Sequence, residues 1–381
     1  MNESTWRGVF LWMALASFAG MACPAFGADG IEGDGVLEAD GALEADDDIE
    51  ILDWHGVPIP GPGQPPPWRA KFEEAQTLMG EIFMARQMGE TPDTARTFGQ
   101  VEAIAEDPDF PPAQTGQLLY MLGMMAQDFD EHAKAIGYFN RIVELAESGA
   151  VEPPAEAALL MGLGLANRAE LEYTFMDRPL EAIALFERAL AIEILPAEFR
   201  STVLTRQLQV RLIYEACFDP VLIIDLARRQ MVWSVYEGRG GGVGTDARLP
   251  GHWAAAMALN GMADEARALL ALCQEREVSV IVGEMALSLA FAHGALGDAE
   301  GAALWLERDL NHVAHFRAPS EFDKHMDRVA AAHVLREVIQ DEAIQALLAS
   351  WRARSSEAAA AGDARVVSPE AMFGDFGFED M

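Results

Sequence analysis

Asn260-Gly261-Met262-Ala263-Asp264-Glu265-Ala266 decides the fold, because variants of it recur along the chain. Leu296-Gly297-Asp298-Ala299-Glu300-Gly301-Ala302 repeats its order, and Pro179-Leu180-Glu181-Ala182-Ile183 and Gln340-Asp341-Glu342-Ala343-Ile344 repeat its second half. Working outward, one small residue returns at Ala135, Ala182, Ala227, Ala266, Ala302 and Ala343, at spacings of 47, 45, 39, 36 and 41 residues. A period of that length is the signature of stacked helical pairs. Four residues after each alanine stands Phe139, Phe186, Met231, Leu270, Leu306 or Leu347. Positions i and i+4 share a helix face, so the alanine admits a close crossing and the larger residue fills the space beside it.

The helix boundaries are written in proline and aspartate. Thr91-Pro92 and Asp219-Pro220 read as a cap followed by proline at the first helical position, and Pro153-Pro154, Pro196, Pro250 and Pro319 punctuate elsewhere. The pattern predicts seven helical pairs: 68–90 with 92–106, 113–128 with 130–148, 155–174 with 178–195, 197–216 with 219–236, 250–260 with 263–276, 279–296 with 298–316, and 320–338 with 340–358. No stretch alternates as a strand would, so the expected class is all-α, with the last pair as a terminal cap.

The ends of the chain read differently. Residues 1–27 have the form of a secretory signal: Arg7, the apolar run Val9 to Cys23, then Ala25-Phe26-Gly27 before Ala28. The run is too short to span a bilayer, and the mature chain is expected to be exported without inserting into the membrane. Lipidation at Cys23 is the lesser alternative, because Gly20-Met21-Ala22 lacks the usual aliphatic residue. Residues 28–67 read as a disordered acidic and Pro-rich linker, 68–360 as the helical body and 361–381 as a second acidic tail carrying Phe373, Phe376 and Phe378. Of the net charge of −34, eleven negative charges lie between Ala28 and His55 and four more net after Ala361, leaving nineteen on the body. A surface of that sign argues against nucleic acid and anionic lipid as partners. Removal of the signal leaves Cys217 and Cys273, read as two buried thiols in preference to a bridge.

Leu122-Gly123, Ala135 and Phe139 in the second pair, Leu163-Gly164, Ala182, Phe186 and Ala189 in the third, and the turns at Asn260–Ala266 and Leu296–Ala302 resemble the tetratricopeptide-repeat family. The resemblance covers pairs two to six and implies a right-handed superhelical solenoid whose first helices line a concave groove for a peptide or protein. Carried over position by position, it implies groove residues Tyr120, Met124, Met161, Leu165, Arg168, Arg248, His252, Ala255, Leu287 and Phe291. Tyr120 and Met124 stand where family members that clamp a carboxylate carry Lys and Asn, which argues against that mode of binding.

Other constellations bear on function more weakly. The helix containing Leu118–Met125 is apolar on most of its circumference and needs a second partner, either a neighbouring repeat or a ligand. Arg228 and Arg229 belong to an Arg-rich fourth pair, a candidate cationic patch whose alternative is ion pairing with adjacent repeats. The run Gly238–Thr245 lacks the Lys-Ser/Thr of a phosphate loop and reads as a connection between helices. His312, His315, His325 and His333 gather near Asp309, Glu321 and Asp323, where a metal is conceivable but ordinary histidines are favoured. No nucleophile, dinucleotide or metalloprotease motif stands out, and no cofactor is expected. The sequence therefore points to an exported scaffold for a protein or peptide, with a helical-toroid or metal-dependent enzyme near His312 and His315 as the alternative.

Overall fold

The computed structural model describes residues 66–87, 92–237, 249–275, 282–315, 317–362 and 365–367. The expected signal, nearly all of the 28–67 linker, the Gly238–Thr245 run and the three C-terminal phenylalanines lie outside the described residues. Residues 66–70 belong to a first unit ending at Ala70, and every contact below lies in the unit that begins at Lys71. Among the described residues all regular structure is helical. The helices are α1 (Pro67–Gln87), α2 (Thr94–Ala105), α3 (Pro112–Asp128), α4 (His132–Glu147), α5 (Pro154–Thr174), α6 (Pro179–Leu190), α7 (Ala197–Ile213) and α8 (Pro220–Glu237). After them come α9 (Leu249–Leu259), α10 (Ala263–Glu275), α11 (Val282–Ala295), α12 (Ala299–Ala314), α13 (Pro319–Ala330) and α14 (Glu342–Ala361).

Aspartates start several of these helices by accepting from backbone N–H groups that have no partner within the first turn. Asp219 Oδ1 accepts from Val221 N at 3.0 Å and from Leu222 N at 3.2 Å, Asp298 from Gly301 N at 3.0 Å, and Asp341 from Ala343 N at 2.9 Å. The second helix is capped by Asp93, which accepts from Arg96 N at 3.1 Å; the Thr91-Pro92 start is thus displaced by two residues. At the turns inside four of the pairs a left-handed residue reverses the chain: Asp130 (φ 62°), Asp177 (φ 53°), Gly261 (φ 79°) and Gly297 (φ 69°).

Packing follows the alanine pattern for five of its six members. Ala135, Ala182, Ala227, Ala266 and Ala302 are all fully buried, as are Phe139, Phe186 and Leu306. From α2 onward consecutive helices touch, and the first helices of successive pairs lie against one another in the order α3, α5, α7, α9, α11. Polar contacts between neighbouring pairs keep the sequence period: Arg141 to Glu106 (3.0 Å, 35 residues apart), Gln117 to Glu156 (3.4 Å, 39 apart), Asn260 to the Pro220 carbonyl (2.9 Å, 40 apart) and Tyr214 to the Tyr173 carbonyl (2.7 Å, 41 apart). The apolar circumference of α3 is satisfied by α4 and α5, with Tyr120 against Phe139 at 6.1 Å between ring centroids.

The last pair departs from the pattern. Ala343 is exposed, and Ile344, Leu348 and Trp351 are buried in its place, one register step along the helix. As the last described helix, α14 has no following helix to cross closely, so its buried stripe is free to be large. The expected helix 320–338 stops at Ala330 and is followed by a 3-10 turn, His333–Leu335. That segment packs against α7 and α11, and Val334, Leu335, Val338 and Ile339 join one core running from Leu204 to Trp351. A β-carbon on Gly294 of α11 would come within 2.5 Å of Leu335.

Two glycine substitutions test this packing with opposite signs. A β-carbon at Gly164 would lie 2.9 Å from the Phe139 carbonyl oxygen, whereas one at Gly137 meets nothing within 4 Å. Gly164→Ala should therefore destabilise the chain by about 1–3 kcal/mol through forced separation of α4 and α5. Gly137→Ala should stabilise it by roughly 0.5–1 kcal/mol by removing a flexible residue from a helix interior. Urea unfolding midpoints of the two variants check both signs.

Candidate functional site

Most of the expected groove residues are inside the protein. Tyr120, Leu165, His252, Ala255, Leu287 and Phe291 are buried, so they hold helices together and offer no open surface. The reason is the position of the first helices: each lies between its neighbours, and the segment after α13 covers part of α7 and α11. Met124, Met161 and Arg168 are half-buried, and Arg248 lies outside the described residues. Arg168 is occupied by Glu172 at 3.3 Å and by Glu181.

The arginines of the fourth pair are mostly spent on structure. Arg200 donates to the backbone carbonyls of Leu190 and Leu195, each at 3.2 Å, and of Ile192, closing the end of α6. Arg206 pairs with Glu170 at 2.9 Å, and Arg211 reaches Glu187 at 3.2 Å and the Cys217 carbonyl at 3.1 Å. Arg229 pairs with Asp225 at 2.8 Å on its own helix, and Arg228 is exposed. Cys217 is a free, buried thiol whose pKa burial pushes up; the side chain of Cys273 lies outside the described residues.

The late histidines do not converge. His325 Nε2 is engaged by Asp309 at 2.7 Å, His333 packs on Phe218 at 4.2 Å between centroids, His315 is buried and His312 half-buried. Among the described residues, the one trio of His, Asp and Glu side chains able to share an ion is Asp130, His132 and Glu321. Of these, only Glu321 stands near the late histidines in the sequence.

That trio forms where α13 runs past the turns of earlier pairs. Asp130 is the left-handed residue between α3 and α4, His132 is the first residue of α4, and Glu321 lies in the first turn of α13. The His132 ring stacks on Phe175, at the end of α5, with 3.6 Å between centroids and 19° between planes. Its Nε2 lies 3.8 Å from Glu321 Oε1, while the other oxygen of Glu321 accepts from Arg317 Nη1 at 3.4 Å. Lys324 Nζ stands 5.9 Å from the Phe175 ring centroid. Burial, and next the hydrogen bond with Asp130, raise the Glu321 carboxyl to about 7 against the pull of Arg317. Burial lowers His132, and the Lys324 and Arg317 charges add to that.

Further along α13, burial lowers the Arg328 guanidinium from its ordinary value, against the pull of neighbouring Tyr173, Tyr214 and Glu170. Glu321, Lys324 and Arg328 recur at helical spacing and thus form one charged stripe, with Phe322, Met326 and Val329 buried on the opposite side. A charged stripe on a terminal helix normally faces water, which is why composition alone hides this junction. One signal was readable: aspartate occupies position 130 where the turns at Gly261 and Gly297 use glycine.

No family model matches the chain, and no curated protein matches it. Function must therefore be argued from the arrangement alone.

The tyrosines of the junction set an alkaline limit on stability. Tyr214 donates to the Tyr173 carbonyl at 2.7 Å, and burial pushes its phenol up to about 12; burial raises Tyr173 as well. An unfolded tyrosine ionises near pH ~10, so the stability held by these groups is fully present below that pH and is lost as pH rises toward about 12. Tyr214→Phe should cost about 1 kcal/mol at neutral pH and make the decline above pH ~10 shallower. Thermal unfolding followed by circular dichroism from pH 8 to 12 measures both effects.

Proposed function

We propose that this chain is an exported, tetratricopeptide-like helical-repeat scaffold that binds a protein or peptide partner. The observation that carries the reading is the recurrence of contacts between successive pairs at separations of 35 to 41 residues, together with first helices that lie side by side from α3 to α11. In a right-handed solenoid of about seven pairs, such a row forms the concave surface. Export rests on the form of residues 1–27, and the linker reading of 28–67 on composition.

Burial of the groove positions in pairs five and six moves the docking surface toward the second and third pairs. There Met121, Met124 and Met125 on α3 and Met161 on α5 are half-buried. Methionine surfaces adapt to differently shaped apolar side chains. The body carries a large negative charge, so the partner that fits is a segment with apolar anchors and basic residues beside them. Among the described residues no ion-holding trio includes His312 or His315, so the second reading, a helical-toroid or metal-dependent enzyme near them, gains no support.

Purified mature chain used as bait on the native envelope fraction tests the scaffold reading. Met124→Glu with Met161→Glu, both at half-buried positions, should weaken capture of the same partner by about tenfold or more with helicity unchanged. Added salt should also weaken it, since exposed charges are screened beyond ~8 Å at physiological ionic strength. Arg228→Ala with Arg229→Ala should leave capture intact. Unchanged capture by the methionine variant, or loss confined to the arginine variant, would overturn the assignment of the surface.

A further inference from the structure

Asp130, His132 and Glu321 bring one imidazole and two carboxylates together from positions that the chain separates by nearly 200 residues. Their ligand atoms all lie within 4.8 Å of one another. Nitrogen and oxygen donors sit at ~2.0–2.2 Å from a first-row divalent ion, so two donors on one ion are separated by up to ~4.4 Å. The 3.8 Å between His132 Nε2 and Glu321 Oε1 falls inside that range.

The state of His132 is a separate observation. Its ring is pinned against Phe175, its Nδ1 is buried with no hydrogen-bond partner, and its Nε2 has no described partner within hydrogen-bond reach. The ring is half-buried, and its one buried nitrogen, Nδ1, lacks the partner that buried polar groups ordinarily have. Glu321 is oriented in turn: Arg317 holds one oxygen and leaves Oε1 toward His132. Asp130 brings a second carboxyl to within 4.8 Å of the other ligand atoms, and two carboxylates that close favour a positive charge between them.

We propose that Asp130, His132 and Glu321 bind a divalent transition-metal ion of the zinc type, which fastens α13 to the turn between α3 and α4. One imidazole with two carboxylates suits zinc or manganese better than calcium or magnesium, which favour oxygen donors throughout. The charge of the two carboxylates balances that of the ion. Three protein ligands leave a coordination position for water. Because the ligands meet only in the folded chain, binding raises folding stability.

The test uses the full mature chain, stripped with chelator and titrated with zinc chloride by calorimetry, followed by thermal unfolding with and without zinc. The wild type should take up one ion at micromolar or tighter Kd and unfold at higher temperature when zinc is present. His132→Ala, Asp130→Asn and Glu321→Gln should each lose that site by about tenfold or more, together with the zinc-dependent rise in Tm. Asp130→Asn keeps a residue that tolerates the left-handed turn, so its folding in the absence of zinc should match the wild type. His312→Ala with His315→Ala should bind zinc as the wild type does. Zinc uptake that survives all three ligand variants, loss confined to the His312/His315 variant, or no uptake at micromolar zinc would each overturn the proposal.

Discussion

Two helices can approach to backbone contact only where one of them lacks a large side chain at the crossing, and the described structure depends on that constraint being met repeatedly. Ala135 and Ala182 are fully buried at such crossings, each with a phenylalanine one turn later. Gly164 carries the constraint furthest, since even a β-carbon there would press on the carbonyl oxygen of Phe139. Close approach at these points brings neighbouring pairs side by side, and this puts Glu106 and Arg141, or Tyr173 and Tyr214, within bonding distance. The polar contacts between pairs are a consequence of apolar geometry. Exposed pairs of this kind contribute little to stability on their own.

α13 obeys a different logic. Its apolar side joins the core through Phe322 and Met326, as any amphipathic helix would. Its charged side meets the ends of helices and turns, where the chain offers carboxylates, ring edges and backbone carbonyls. Arg317 holds Glu321, Glu321 faces His132, and Arg328 lies among two tyrosines and Glu170. In a partly buried polar junction each charge weighs more than it would in open water, in either direction. Glu321 is raised and Arg328 lowered for the same reason: burial penalises the charged form of each.

Asp130 and Asp177 connect the two regimes. Both occupy left-handed turns inside a helical pair, a conformation that glycine adopts without strain and that aspartate tolerates better than most residues. At Gly261 and Gly297 the turn needs only flexibility. At Asp130 the same backbone position also supplies a carboxyl to the trio beneath α13.

Helix positions, the alanine crossings and the start of α8 at Asp219-Pro220 were legible in the sequence, because each depends on residues within a few positions of one another. The departures were not. Ala343 yields its place to Ile344 because α14 ends the described stack, and the helix expected through 338 breaks after Ala330 because Val334 and Leu335 pack against α7 and α11. The family-derived groove failed at Phe291 and Leu287 for a related reason: local pattern tells which residues are apolar but not which neighbour covers them. The sequence by itself determined an all-helical chain with a period near 40 residues, since period and capping are local properties. Tertiary structure alone decided that His132 meets Glu321, because that contact depends on how successive crossings carry the chain back on itself, and small changes in crossing angle accumulate over the four pairs between them.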